Sequence, residues 1–261
     1  MAWDPTLYLK FGDERLRPGF ELLARIGDLP PGALYELGCG TGVHARAIAA
    51  RWPDRQLTAI DRSPEMLAKA AAEPAPIRWL EADIATWTPP QPGALIFSNA
   101  TLQWLGNHAR LLPHLLRQLV PNGVLAVQMP RNFDQPSHLL MRETATEGPW
   151  ATTLAPVLGA TTVLRADPVA PPEGYYDLLA PLPKGGIDLW ETEYLHVLEG
   201  ADPVLDWVRA TALRPVLDAL GAAEREAFTA AYGAKLRQAY PRRGDGKTLL
   251  PFRRLFLVAR R

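Results

Sequence analysis

The segment Glu36-Leu37-Gly38-Cys39-Gly40-Thr41-Gly42 decides the fold. A short apolar strand, Ala33 to Leu37, leads into it, and a helical pattern from about Val43 to Trp52 leads out. Glycines there permit a tight turn and let a ligand approach the backbone with no Cβ in the way. The spacing is GxGxG. A dinucleotide fingerprint wants a third glycine at position 43, which is valine. A purely structural turn is the plain alternative for such a triplet. Two acids argue against that alternative. Asp61 ends a second strand, Leu57-Thr58-Ala59-Ile60-Asp61, 19 residues beyond Gly42. An acid at that place accepts both hydroxyls of a ribose. Asp83, in Glu81-Ala82-Asp83-Ile84, ends a third strand, where it is placed to meet an adenine amino group. Either aspartate alone serves equally well as a helix cap or turn residue. Three such features at the ends of three successive strands point to a nucleoside.

Outward from this loop, strands and helices alternate. Residues 13–26 carry Leu16, Phe20, Leu22, Leu23 and Ile26 on one helix face. Ser63-Pro64 opens a helix to about Ala72, with serine as N-cap and proline in the first turn. Ile77 to Leu80, Ala94 to Ser98 and Gly123 to Met129 read as further strands, with a helix from about Ala109 to Leu119 between the last two. Pro121-Asn122-Gly123 is a turn signal. Strict alternation means crossover connections and a parallel sheet covered on both faces. The expected class is α/β, a Rossmann-like, mostly parallel sheet of seven strands with helical cap insertions. Residues 1–130 form the nucleoside-binding core. Residues 131–173 form a cap insertion with one helix candidate, about Ser137 to Thr146, and a loop-like tail. A core helix and strand occupy 174–200, a helical cap 201–248, and the last core strand 249–261. The insertions can cover the carboxyl edge of the sheet, where open α/β folds bind ligands.

Composition narrows the partner. The chain has 261 residues, 48% hydrophobic and 21% charged, enough for a substantial core. Its formal charge is zero, so no global field holds a polyanion, and neither nucleic acid nor an anionic membrane is expected as partner. The zero conceals 23 arginines against five lysines. Codon usage accounts for most of that excess, yet each arginine presents a fork that matches a carboxylate. The single cysteine, Cys39, suits a reducing compartment. No signal peptide or apolar span is legible, which places the protein in the cytoplasm. A monomer or weak dimer is expected. The five histidines form no ligand spacing, so no metal is expected.

The segments ELGCGTG, AIDRSPEML and EADI resemble the nucleotide-binding motifs of class I S-adenosylmethionine-dependent methyltransferases. The resemblance covers about residues 33–130. It implies S-adenosylmethionine as methyl donor and S-adenosylhomocysteine as product. In that family the acid opening the first motif, here Glu36, lies near the methionine moiety, and the loop glycines Gly38, Gly40 and Gly42 meet the amino-acid part of the ligand. It further implies Met66 by the ribose or adenine and Ile84 beside the adenine, with Tyr8, Arg62, Asn99 and Ala100 completing the cofactor set.

The acceptor is read from the fourth strand. It runs through Ser98-Asn99-Ala100-Thr101-Leu102-Gln103-Trp104-Leu105, and LQWL resembles the plant small-molecule carboxyl methyltransferases. There the tryptophan indole donates to the acceptor carboxylate, a role suited to a group that donates only. A core tryptophan is the alternative. With its opening Trp3-Asp4-Pro5-Thr6-Leu7-Tyr8-Leu9, its segment Gln128-Met129-Pro130-Arg131-Asn132 and its ending Arg253 to Ala259, the whole chain resembles the trans-aconitate methyltransferases, departing from them in 146–173. The carboxyl methyltransferases that act on malonyl-acyl-carrier protein share the SN…QW segment. A non-catalytic protein on the same fold and, less well, a nicotinamide dehydrogenase are the remaining alternatives.

A carboxylate is ionised at neutral pH, so esterifying it needs no general base. What remains is positioning, by Trp104 and Gln103, with one carboxylate oxygen held in line with the S–CH₃ bond. Excluding water strips the anion's hydration and favours attack on the sulfonium. Spectator carboxylates need binding groups, and Gln128, His138, Tyr175, Arg214 and Arg254 are the candidates, the arginines because their forks match carboxylates. Arg17 and Arg142 are weaker candidates, each equally well a surface or structural ion pair.

Overall fold

The computed structural model describes residues 12–161, 164, 168–182 and 185–261. Tyr8 and the opening Trp3 to Leu9 lie outside the described residues. In chain order the elements are α1 (Gly12–Arg25), β1 (Ala33–Leu37), α2 (Val43–Arg51), β2 (Leu57–Asp61), α3 (Pro64–Ala71), β3 (Ile77–Glu81) and β4 (Gly93–Asn99). A 3₁₀ turn (Leu102–Trp104), α4 (His108–Arg117), β5 (Leu119–Pro130), α5 (Pro136–Glu147), α6 (Ala151–Ala160) and α7 (Pro172–Leu179) follow. The chain ends with β6 (Ile187–Leu198), α8 (Pro203–Arg209), α9 (Arg214–Ala219), α10 (Ala222–Ala239) and β7 (Thr248–Arg260).

The seven strands form one sheet in the order β3-β2-β1-β4-β5-β7-β6. β1 to β5 are parallel and β7 runs antiparallel to β5. This is the expected Rossmann-like sheet, and its order reverses between β1 and β4, the switch point where open α/β sheets bind ligands. The central strands β1 and β4 are buried up to the half-buried Asn99 that ends β4, as two covered faces require.

Contact density divides the chain into two units, described separately. The larger comprises Leu16–Pro130, Ala170–Thr192 and Arg254–Arg261. Its helix starts follow local chemistry. Ser63 caps α3 by accepting a hydrogen bond at Oγ from the Met66 amide, 3.2 Å, with Pro64 in the first turn. Leu22 and Leu23 on α1, and Ile26 just beyond it, are buried as the periodicity requires, whereas Phe20 is 41% exposed. Its ring rests 4.9 Å from that of His44 on α2.

Of the described residues, the smaller unit comprises those within 12–15, 131–169 and 193–253. Its core is built by α5, α6, α8, α9 and α10 around Met141, Trp150, Leu154, Trp207, Leu213 and Phe228. The Trp150 ring meets Phe228 edge-on at 5.1 Å and donates its indole N–H to the Thr144 carbonyl, 2.7 Å.

Two expectations are corrected. The stretch expected as a loop-like tail contains α6, whose Thr, Pro156 and Gly159 are poor helix formers. Fully buried Leu154 holds it by packing, which overrides propensity. And β5 begins before the Pro121-Asn122-Gly123 turn rather than after it. β5 advances from Leu119 to Val124 while β4 advances only from Gly93 to Leu95. The turn is therefore a bulge inside the strand, with Asn122 left-handed at φ 63°.

Candidate functional site

The cross-strand register assembles a site at the carboxyl edge of the larger unit's sheet. Glu36 lies opposite Ala59 of β2 and Phe97 of β4. Asn99 lies opposite Gln128 of β5, which lies opposite Phe256 of β7, and Pro130 faces Arg254. Paired residues share a face and side chains alternate along each strand. Glu36, Asp61, Asn99, Gln128 and Arg254 thus project from one face, near the ends of β2, β1, β4 and β5. The His44 ring on α2, 6.0 Å from Phe97, covers the deeper part of that face.

This edge concentrates buried polar atoms that have no hydrogen-bond partner among the described residues. Glu36 is 2% exposed and its Oε2 has no hydrogen-bond partner among the described residues. The same holds for Asn99 Oδ1, Gln103 Oε1 and both amide atoms of Gln128, which is fully buried. Unpaired buried polar atoms are costly, so their collection at one place marks a ligand site. Burial, reinforced by the Asp61 carboxylate and only partly opposed by Arg46, pushes the Glu36 carboxyl up to about 8. A cation beside Oε2 restores its charge.

The glycine loop is held by Asp61. Gly40 donates its amide to Asp61 Oδ2 at 2.8 Å, and Ser63 donates to Oδ1 at 3.0 Å. Each oxygen keeps a second lone pair for a hydroxyl donor. Arg46 braces the loop by donating to the Thr41 carbonyl, 3.0 Å, and to the Ala70 carbonyl, 3.2 Å. A Cβ on Gly40 would meet no atom within 4 Å, so this glycine borders open space. Gly38 is the opposite case. It is left-handed at φ 76°, and a Cβ there would sit 2.2 Å from Thr101 Cγ2 and Oγ1. Thr101 in turn donates Oγ1 to the Asn99 carbonyl, 3.1 Å, and approaches the Gly38 carbonyl at 3.3 Å, so it cannot swing aside freely. Gly38→Ala should cost about 2 kcal/mol of stability, read by urea unfolding, and a loss near zero would mean that the loop yields.

The remaining cofactor candidates fall around this loop. Met66 and Asp61 are half-buried, Ile84 is buried, and Arg62 is exposed. Asp83 lies two residues past β3 in an exposed turn, where Oδ1 accepts from the Ala85 amide at 2.9 Å. Ala100 is left-handed at φ 52° and donates its amide to the Gln128 carbonyl, 2.9 Å. Cys39 is buried, and burial together with the Glu36 and Asp61 charges raises its thiol far above the ordinary range, so it is no nucleophile.

Beyond Ala100 the chain makes the Leu102–Trp104 turn. Gln103 is buried and donates Nε2 to the Ala100 carbonyl, 2.7 Å. Trp104 is 39% exposed, so it is not a core tryptophan. Arg254 is 3% exposed on β7.

Tyr175, a candidate for binding a spectator carboxylate, is 1% exposed in α7 with its hydroxyl bonded to His108. Its neighbour Tyr176 is the exposed member of the pair. His138 and Arg214 belong to the smaller unit. His138 is buried on α5, its Nδ1 3.2 Å from Ser137 Oγ. Burial, with Arg142, depresses its pKa to about 4 against the opposing pull of Asp134, so the ring is neutral at pH 7. Arg214 opens α9, partly exposed, 3.9 Å from Asp218. Arg17 pairs with Glu21 on α1 at 2.6 Å, and Arg142 donates to the Phe133 carbonyl at 2.9 Å. Among the described residues no cluster of His, Cys, Asp and Glu is placed to hold a metal, and no helix is long and apolar enough to cross a membrane. Three contributors escaped the sequence: Thr101, Arg46 and His108. Only Thr101 left a local trace, as the residue between the strand and the LQW turn.

Residues 34–123 match the methyltransferase domain family. A trans-aconitate 2-methyltransferase of Streptomyces avermitilis is 50% identical over 99% of this chain and 96% of its own length. The chain belongs to the trans-aconitate 2-methyltransferase family. A trans-aconitate 2-methyltransferase of an Azoarcus species is 48% identical over 99% of this chain and 98% of that one. Among solved structures, phosphoethanolamine N-methyltransferase 2 of Haemonchus contortus in complex with S-adenosyl-L-methionine superposes with a TM-score of 0.53 at 16% identity. That match covers 97% of this chain and 56% of the other, so this chain spans little more than half of that structure. Such a likeness shows the class I fold alone.

Proposed function

We propose that the protein methylates a carboxylate of trans-aconitate, giving the methyl ester and S-adenosylhomocysteine. The observation that carries this reading is identity near 50% over almost the whole chain to curated trans-aconitate 2-methyltransferases. S-adenosylmethionine supplies a methyl group made electrophilic by its sulfonium.

Glu36 accepts the ammonium of the donor's methionine part, the interaction its buried, partnerless oxygen calls for. Asp61 accepts from the ribose hydroxyls while holding Gly40. Gly38, Gly40, Gly42, Asn99 and Ala100 line the amino-acid part, with the space over Gly40 admitting it. Met66, Ile84, Asp83 and Arg62 flank the ribose and adenine. Tyr8 is assigned to this set from the sequence alone.

On the acceptor side, Trp104 donates its indole N–H to the carboxylate. Gln128 offers an unpaired amide and Arg254 a guanidinium from the same face. Both supply hydrogen-bond donors without the need for a proton acceptor. The carboxylate takes the methyl on one oxygen as the C–S bonding pair stays on sulfur, and no proton moves. His138 and Arg214 are candidates for spectator carboxylates by residue type only. The free, buried thiol of Cys39 supports a reducing compartment, and we place the enzyme in the cytoplasm as a monomer or weak dimer.

The test is transfer of labelled methyl from S-adenosylmethionine to trans-aconitate, with a base-labile product. No label in any small di- or tricarboxylic acid overturns the substrate assignment. Trp104→Phe should lower kcat/KM for the acid about tenfold, the scale of one lost hydrogen bond to a charged group, and leave cofactor affinity unchanged. A variant that loses cofactor affinity and keeps acceptor kinetics contradicts the assigned role.

A further inference from the structure

We propose that Tyr175 and His108 are positioning residues for the acceptor: together they fix the Leu102–Trp104 turn that aims Trp104. The inference rests on the assignment of Trp104 to the acceptor carboxylate. Three hydrogen bonds run in series to this turn. The Ala170 amide donates to Tyr175 Oη at 3.3 Å, Tyr175 Oη meets His108 Nδ1 at 2.7 Å, and His108 Nε2 meets the Leu102 carbonyl at 2.8 Å.

The proton placement is determined by the ends. A carbonyl only accepts, so His108 Nε2 carries a hydrogen. Burial depresses the His108 pKa and keeps the ring neutral, so Nδ1 is left as acceptor. The Tyr175 hydroxyl must then donate to Nδ1, and its oxygen receives the Ala170 amide. The series has one polarity from α7 to the turn.

The turn is braced from its other side as well. Gln103 Nε2 holds the Ala100 carbonyl at 2.7 Å, and the Trp104 amide donates to the Thr101 carbonyl at 3.1 Å. Ala100 is left-handed, a conformation that costs a residue with a Cβ about 1 kcal/mol and persists only where its surroundings impose it. The Trp104 indole makes no hydrogen bond of its own among the described residues. Its direction therefore comes from the backbone of the turn, which His108 grips at Leu102. A fully buried tyrosine hydroxyl is costly unless it is satisfied, and the half-buried His108 imidazole satisfies it. A phenylalanine would fill the volume in α7 equally well, so the hydroxyl is there for His108.

A double-mutant cycle tests this. Tyr175→Phe should fold and keep the parent's affinity for S-adenosylmethionine by calorimetry. Its kcat/KM for trans-aconitate should fall about tenfold, as for a lost buried hydrogen bond. In the Trp104→Phe background the same change should cost less than about twofold, because the group being aimed is gone. A merely structural tyrosine would cost the same in both backgrounds, and that result overturns the proposal, as does unchanged kinetics in Tyr175→Phe. Unchanged kinetics in Trp104→Phe would instead sink the acceptor assignment, and this inference with it. Should Tyr175→Phe not fold, His108→Gln enters the same cycle under the same criteria.

Discussion

Asp61→Ala should raise the Kd for S-adenosylmethionine by about two to three orders of magnitude, measured by calorimetry. Two effects add. The carboxylate is the proposed acceptor for two ribose hydroxyls, and a hydrogen bond to a charged group contributes about 1.5–3 kcal/mol. The same carboxylate also receives Gly40 at 2.8 Å and Ser63 at 3.0 Å, so its removal releases the glycine loop that shapes the site. Asp61→Asn separates them. The amide keeps an acceptor for one loop amide and loses the charge, so it should lie between parent and alanine. An unchanged Kd in Asp61→Ala removes the residue from the ribose site.

Glu36→Gln should weaken the same ligand about a hundredfold, from loss of the charged partner of its ammonium, while stabilising the free protein at alkaline pH. The sign follows from the raised pKa. Burial moves the Glu36 carboxyl from 4.5 to about 8, so the folded chain holds a proton that the unfolded chain has released between those values. Stability from this group is complete below the lower value and declines as pH rises through the upper one. The parent without ligand should therefore lose melting temperature between about pH 6 and about pH 8 more steeply than Glu36→Gln. Ligand affinity in the parent should rise over the same interval, because binding the ammonium requires the ionised carboxylate. Parallel melting curves for the two proteins across that interval would show that Glu36 is not the titrating group. A residue that costs stability when the site is free and gains affinity when it is filled is the usual compromise of a binding site.

The glycine loop, the acid ending β2 and the Ser63-Pro64 helix start were legible because each is dictated by chemistry within a few residues. Left-handed φ at Gly38 needs glycine, and an N-cap needs a hydroxyl beside its own helix. Trp104 was legible only as a choice between core and site, and its exposure removes the core alternative. The bulge at Pro121-Asn122-Gly123 was visible as a turn, but whether a turn ends a strand or kinks it depends on the neighbouring strand. Helix α6 was hidden because its residues disfavour a helix and its support comes from packing around Leu154.

The alternation of strands and helices, the α/β class and the nucleoside-binding edge came from periodicity and turn chemistry, which are written locally along the chain, whereas the strand order came from the structure. The state of individual polar side chains was not. Gln128 was legible as an acceptor candidate, but that its side chain is fully buried with both amide atoms unpartnered among the described residues shows only once β5 lies between β4 and β7. Tyr175 read as an acceptor-binding residue, and its buried hydroxyl is bonded to His108, 67 residues away. Conformational preference is a property of a short stretch of backbone. Whether a buried group finds a partner depends on residues that only folding brings within hydrogen-bond reach.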